Sequence, residues 1–149
     1  MRAVVQRTAT ASVTSEGVQT GSIGKGLTVL LGIAPDDGEK DLQYIVDKLI
    51  HMRIFEDAAG KMNCSVQDVG GSLLVVSQFT LYGDLRHGRR PGFTAAASPE
   101  MADRWYNNVV EALRATGIPV ETGRFQTHMV VSLENDGPVT ILLDSKKGF

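Results

Sequence analysis

Three stretches of this 149-residue chain combine residue types that can do chemistry. The first is Ser77-Gln78-Phe79-Thr80-Leu81, where two hydroxyls and an amide arrive at the end of a strongly apolar run. A serine or threonine hydroxyl is a weak nucleophile unless a neighbouring base takes its proton. The imidazoles are His51, His87 and His128, and none stands at a spacing that marks a triad. Local sequence therefore favours Ser77 and Thr80 as strand residues bonding to nearby backbone, with a nucleophile as the sharper alternative. The second stretch is Asn135-Asp136-Gly137-Pro138-Val139-Thr140. All of its first four residues are turn formers, so a tight turn between two strands is the plain reading. The other reading rests on Gly137-Pro138 opening a β-prone run, because a Gly–Pro bond adopts the cis form at modest cost. A cis bond turns two successive carbonyls to the same side, giving a rigid pair able to test a ligand's shape without a side chain.

The third stretch, Arg86-His87-Gly88-Arg89-Arg90-Pro91-Gly92-Phe93, places three arginines beside an aromatic in a glycine-rich loop. It reads either as a solvated surface loop or as a place to hold phosphates and stack a base. Phosphate signatures of the P-loop and dinucleotide kinds are absent. Cys64 stands alone, so no internal disulfide or zinc cluster is expected, and it reads as a small buried or half-buried residue. His128 sits in an apolar stretch and reads as a core or interface residue.

The elements that must position these residues follow from periodicity. Ala3 to Val13, Val18 to Ile23 and Leu27 to Ile33 are β-prone runs separated by Ser15-Glu16-Gly17 and Gly24-Lys25-Gly26, which suggests a meander of hairpins. Pro35-Asp36-Asp37-Gly38 breaks the pattern and can cap a helix. Leu42, Ile45, Val46, Leu49 and Ile50 then recur at helical spacing. Arg53 to Glu56 reads as a short strand. Leu73 to Leu81 reads as a strand covered on both faces, because it lacks alternation. Ser98-Pro99-Glu100 is a helix start, with Met101, Trp105, Val109 and Leu113 as a core-facing stripe and Gly117 and Pro119 as the stop. Met129 to Leu133 and Val139 to Asp144 complete the sheet. The expectation is one α/β domain over residues 1–149, a mainly antiparallel, barrel-like meander with two amphipathic helices packed on it.

Composition bounds the function. Apolar residues make up 42% of the chain, enough for a core, and no apolar run is long enough to span a bilayer. The start Met1-Arg2-Ala3-Val4-Val5 has no apolar signal segment, so a cytoplasmic location is expected. A net charge of −2 argues against a surface that grips nucleic acid everywhere, so any RNA contact must be local.

Taken together, these pieces resemble the D-aminoacyl-tRNA deacylase family from end to end. Met1-Arg2-Ala3-Val4-Val5-Gln6-Arg7 looks like its start, Ser77-Gln78-Phe79-Thr80-Leu81 its first signature, and Asn135-Asp136-Gly137-Pro138-Val139-Thr140 its Gly–cis-Pro signature. Gly88-Arg89-Arg90-Pro91-Gly92-Phe93-Thr94 fits its central loop. The resemblance implies a homodimer that hydrolyses the ester joining a D-amino acid, or glycine, to the acceptor end of tRNA. Gly137 and Pro138 of one subunit would reach into the other's pocket and reject an L side chain. Arg7 would hold that motif in place. Ser77, Gln78, Phe79 and Thr80 would receive the aminoacyl group and terminal adenosine, with Phe93, Phe125 and Met129 bordering the pocket. No metal or organic cofactor is implied.

Two mechanisms are compatible with the resemblance. In one, Thr80 attacks and nearby backbone amides stabilise the oxyanion. In the other, which is favoured, the ribose 2′-hydroxyl helps activate water and the protein supplies position. Thr80 lacks an evident base, and an aminoacyl ester is already an activated bond. One stretch departs from the pattern: Gln126 and Thr127, in Gly123-Arg124-Phe125-Gln126-Thr127-His128-Met129, stand where two small residues are common, and their bulk bears on the width of the pocket or on how the adenosine sits, hence on substrate preference more than on reaction type. The rival readings are a non-catalytic nucleic-acid-binding member of the same fold and, more weakly, a threonine-dependent esterase of small molecules.

Overall fold

The computed structural model describes residues 1–149. The first hairpin forms where the turn residues are: β1 (Arg2–Ser15) and β2 (Val18–Ile23) are joined by Glu16 and Gly17 at φ of 50° and 79°. Both central residues in the left-handed region match the strand twist, and glycine makes the second one inexpensive. β3 (Gly26–Gly32) pairs antiparallel with β1 from Arg2↔Gly32 to Thr8↔Gly26. Next come α1 (Glu39–His51) and a two-stranded ribbon of β4 (Phe55–Glu56) and β5 (Met62–Cys64), shorter than the Arg53–Glu56 strand expected. β6 (Ser72–Ser77), α2 (Pro99–Arg114), β7 (Val120–Thr122) and β8 (Met129–Asp144) complete the chain.

The sheet order is β2-β1-β3-β6-β7, with β8 pairing β1. β1 pairs antiparallel with β2, β3 and β8, whereas β3–β6 and β6–β7 are parallel, so the sheet is mixed. β2 curls back against β7, with Gly21 close to Thr122 and Glu121, and nearly closes a barrel. Ala3, Val5, Leu27, Val29, Leu31, Leu73 and Val75 form one buried face beneath the helices. Leu74 and Val76 point the other way and join Ala11, Val13 and Ile23 in a smaller core. This explains the missing alternation in β6: both of its faces are covered, as expected.

The helices form for the reasons their sequences suggest. Ser98 Oγ accepts from the Met101 amide at 3.3 Å and Pro99 opens α2. Its buried stripe is Ala102, Tyr106, Val109, Val110 and Leu113, with Met101 and Trp105 only half-buried at its margin. α1 starts at Gly38, whose amide donates to the Asp41 carboxylate at 2.9 Å. Asp37 turns the other way, accepting from the Ala34 amide at 2.7 Å and the Met1 ammonium at 2.6 Å.

Four expectations need correction. The first three strands are not a meander of hairpins, because β3 returns to pair with β1 and β2 lies beside β1 without pairing β3. β6 stops at Ser77, and Phe79–Tyr82 coil into a 3₁₀ turn instead of extending the strand to Leu81. Its neighbour β3 ends at Gly32, so the ladder has no partner beyond the bond from the Gln78 amide to the Leu31 carbonyl, 2.8 Å. Met129–Leu133 and Val139–Asp144 are not two strands around a turn. They are one strand, because β1 is long enough to pair both halves from Ser15↔Met129 to Arg2↔Asp144. His128 is exposed just ahead of β8, which removes the core half of its reading and leaves the interface half standing.

Candidate active site

The 3₁₀ turn is fixed from beneath by a glycine. A Cβ at Gly32 would meet the Gln78 carbonyl at 3.0 Å, Tyr82 Cε2 at 3.1 Å and Leu81 Cβ at 3.2 Å, so only a bare backbone lets the turn sit on β3. The Leu81 and Gly83 amides donate to the Gln78 and Thr80 carbonyls at 3.3 and 2.9 Å. Phe79 and Thr80, as the first two residues of the turn, keep their own N–H groups outside its hydrogen bonds. Tyr82 is buried below, with the Arg2 guanidinium 4.7 Å from its ring centroid. Burial raises its phenol well above the usual range. Arg2 also donates to the Leu81 carbonyl at 3.3 Å.

Ser77 is half-buried at the end of β6, while Phe79 and Thr80 are exposed. Thr80 Oγ1 is hydrogen-bonded by the Gln78 side-chain amide, which is not a base. Phe93 meets Phe79 edge-on, ring centroids 5.0 Å apart. Because β6 and β7 run parallel, the segment leaving β7 emerges on the same edge as Ser77. It carries Phe125, stacked on Tyr106 at 6.4 Å, and Met129, whose sulfur accepts from the Arg124 amide at 3.4 Å. Tyr106 in turn donates to the Val75 carbonyl at 2.7 Å, and burial pushes its phenol up to about 12. Ser77, Gln78, Phe79, Thr80, Phe93, Phe125 and Met129 thus share one end of the sheet.

Gly137 and Pro138 do not. Gln6 pairs with Thr140 and Thr8 with Asn135, so residues 136–139 stand opposite the single residue Arg7 as a wide bulge. The Gly137–Pro138 peptide is cis. Asn135 Oδ1 accepts from the Val139 amide at 2.9 Å and closes the bulge. Arg7 is buried beneath it, with Nε donating to the Asp136 carbonyl at 3.0 Å and Nη1 to the Ile54 carbonyl at 2.7 Å. Gly137 has φ 134°, and a Cβ there would stand 2.7 Å from Val139 Cγ2 and 3.1 Å from Arg7 Nη2. Through the pairs Arg7↔Leu27 and Leu27↔Leu73, the bulge lies level with a residue four before Ser77. That is about 13 Å along the strand direction at ~3.3 Å per residue.

Gln126 and Thr127 lie in the segment between β7 and β8. Gln126 is exposed at φ 58°, and the Thr127 hydroxyl donates to the Arg124 carbonyl at 2.8 Å and lies 2.6 Å from Ser15 Oγ. Gly32, Tyr82 and Tyr106 were missed as supports of the site. A lone glycine closing an apolar strand was the one available signal, since it marks close approach of another backbone.

The comparisons with known proteins agree along the whole chain. Residues 4–144 match the family described as D-Tyr-tRNA(Tyr) deacylase. Over 149 residues the chain is 58% identical to a D-aminoacyl-tRNA deacylase of Syntrophobacter fumaroxidans, covering 100% of both chains. It is 58% identical to one of Symbiobacterium thermophilum, covering 100% of this chain and 99% of that one. A solved structure described as c-Myc DNA Unwinding Element Binding Protein is 44% identical, with TM-score 0.91 over 97% of this chain and 98% of the other. A probable eukaryotic D-amino acid tRNA deacylase shares the fold at 17% identity, with TM-score 0.81 over 95% and 97%. With the family match spanning residues 4–144 and a relative 58% identical over all 149 residues, the chain belongs to the D-Tyr-tRNA(Tyr) deacylase family.

Proposed function

We propose that this protein is a cytoplasmic D-aminoacyl-tRNA deacylase that acts as a homodimer, with each active site completed by the Gly137-Pro138 bulge of the second subunit. The observation that carries the dimer is the separation of the two signature segments within one chain. Within one chain the two are offset by about 13 Å along the strands and have β1 and β3 between them, so a pocket that uses both draws one of them from a second copy. β8 runs along β1 with its other edge unpaired, and Val130 and Leu142 stand exposed on it, a surface suited to a second copy.

In this reading the terminal adenosine lies against Phe79 and Phe93, and the aminoacyl group enters beside Ser77 and Gln78, bordered by Phe125 and Met129. Water, activated with help from the ribose 2′-hydroxyl, bonds to the ester carbonyl carbon. The Phe79 and Thr80 amides hold the developing oxyanion. The bond from that carbon to the ribose 3′-oxygen then breaks, and that oxygen takes up a proton. Thr80 positions and does not attack, because the group on its hydroxyl is the Gln78 amide, which cannot accept its proton. The partner bulge, anchored by Arg7, excludes an L side chain and tolerates a D side chain or glycine.

The test is release of labelled amino acid from D-tyrosyl-tRNA and L-tyrosyl-tRNA by wild type and Thr80→Ala, with sedimentation at micromolar concentration. Cleavage of the D ester alone, retained by Thr80→Ala, is the expected result. A dead but folded Thr80→Ala would restore the threonine nucleophile, and a monomeric active enzyme would remove the shared pocket. The rival reading is a nucleic-acid-binding protein of the same fold without turnover; the 44%-identical relative is described as a DNA-element-binding protein. Salt-sensitive DNA binding with neither ester cleaved would support it.

A further inference from the structure

A protein of net charge −2 that takes the end of a large polyanion needs local cations to hold it. The loop that follows the 3₁₀ turn supplies them in a specific arrangement. Its ends are tied by reciprocal backbone bonds, Asp84 N to Gly92 O at 2.8 Å and Gly92 N to Asp84 O at 2.9 Å. Arg86, Arg89 and Arg90 all lie inside this closed loop, yet they are not equivalent. The Arg86 guanidinium is committed to Asp84 through a fork of 2.9 and 2.7 Å, and the Arg86 amide adds a third bond to the same carboxylate at 2.9 Å. Side-chain bonding from Arg86 holds the Asp84 carboxyl at about 2, so the clasp persists throughout the neutral range. Arg89 and Arg90 are exposed and make no ion pair or hydrogen bond through their side chains.

The root of the loop is packed on the turn that carries Thr80. Phe93 stands edge-on to Phe79, and a Cβ at Gly83 would meet Phe93 Cε1 at 3.2 Å and the Thr80 carbonyl at 3.1 Å. Arg90 is three residues from Phe93, within about 11 Å of backbone reach. The two uncommitted arginines are therefore carried by a loop whose root packs against the ring of Phe79, which is 54% exposed.

We propose that Arg89 and Arg90 are the phosphate ligands for the RNA strand leading into the site, and that the Asp84–Arg86 pair is an internal strut that shapes the loop. The assignment rests on the deacylase reading for its choice of RNA. Guanidinium groups suit this task because their planar forks match phosphate oxygens. Contacts of this kind carry no base information, so the loop holds acceptor ends of any sequence alike.

The experiment compares wild type, the double variant Arg89→Ala/Arg90→Ala, and Lys48→Gln, which removes an exposed cation of α1 outside the loop. Each is assayed on D-tyrosyl-tRNA and on 3′-O-D-tyrosyl-adenosine, which lacks phosphates, and each is titrated with uncharged tRNA across salt. The double variant is expected to lose on the order of 10- to 100-fold in kcat/KM on the tRNA, for two charge-assisted contacts. The loss should lie mainly in KM, and should exceed any loss on the nucleoside ester at least tenfold. Its slope of log affinity against log salt should fall in magnitude by about 1.4, at ~0.7 per phosphate on a single strand. Lys48→Gln is expected to keep the wild-type slope. Equal losses on both esters would overturn the assignment in favour of a loop that only supports the turn. A slope change in Lys48→Gln as large as in the double variant would overturn it in favour of diffuse charge. If wild type cleaves neither ester, the deacylase reading fails. The tRNA titration then still decides the phosphate contacts by itself.

Discussion

Arg7 and the pair Arg89–Arg90 show two opposite uses of the same side chain. Arg7 is buried at the centre of the sheet and spends its donors on the Asp136 and Ile54 carbonyls, so its role is to hold backbone in one shape. Arg89 and Arg90 stand in water without partners, so what they offer is charge. The first kind of arrangement is set by short bonds and packing and is insensitive to ionic strength. The second acts over the Debye length and fades as salt rises. A site assembled from both should show shape selectivity that salt does not touch and substrate capture that salt weakens.

The sharpest way to break this contrast is Arg7→Ala. It leaves two carbonyls without their charged donor, and an expected loss of about 3 kcal/mol should appear as a lower urea midpoint. Arg89→Ala should stay within about 0.5 kcal/mol of wild type in the same assay. If the two variants unfold alike, the contrast is wrong. Arg7→Lys is expected to recover little, since a point-like ammonium cannot span two carbonyls with the same geometry.

Gly32→Ala extends the shape side of the contrast to the other end of the sheet. The added methyl must displace the Gln78 carbonyl or Leu81, at a cost of roughly 1–3 kcal/mol. Activity should fall more than stability, with kcat reduced at saturating substrate, because the atoms displaced belong to the 3₁₀ turn. An unchanged kcat would show that the turn's position is not what the reaction needs.

Asp41 sits between the two regimes, and acid titration sharpens where the boundary lies. Burial alone would raise its carboxyl, but bonds from Ser145, the Gly38 amide and Lys146 outweigh that and hold it at about 2, below its usual 3.8. A depressed acid stabilises the fold fully above about pH 4 and loses that contribution as pH falls through about 2. Asp41→Asn should therefore flatten the decline of Tm between pH 4 and pH 2 while lowering Tm at pH 7. A parallel decline in wild type and variant would remove Asp41 from the account. The smallest effect expected is a gain. Gln126 occupies φ 58°, a region a side chain adopts at a cost, so Gln126→Gly should stabilise by about 0.5–1 kcal/mol in thermal unfolding. A loss would mean that the Gln126 side chain makes a contribution its exposed position does not suggest.

Local features that depend only on neighbouring residues were legible in the sequence. The Ser98-Pro99 start of α2, the Glu16-Gly17 turn and the doubly covered β6 follow from capping, φ preference and burial pattern. The single strand β8 was not legible, because Asn, Asp, Gly and Pro serve a bulge as readily as a turn. The length of β1, at the opposite end of the sequence, decides between them. The same holds for the site. Its segments could be named from Ser77–Thr80 and Gly137-Pro138, but their separation along the sheet is a property of register. Nothing in Leu27↔Leu73 pairing is written in either motif.

The bulge opposite Arg7 also bears on how the chain behaves while it is alone. β8 presents sixteen residues whose outer side has no partner strand, and long open edges of that kind recruit other chains into fibrils. Pro138 brings no N–H to such an edge, and four residues set against one interrupt any regular ladder there. The freshly made chain thus carries its own safeguard against polymerising. Replacing residues 136–139 by a single valine should be seen as light scattering that grows with concentration, where the natural chain stays clear.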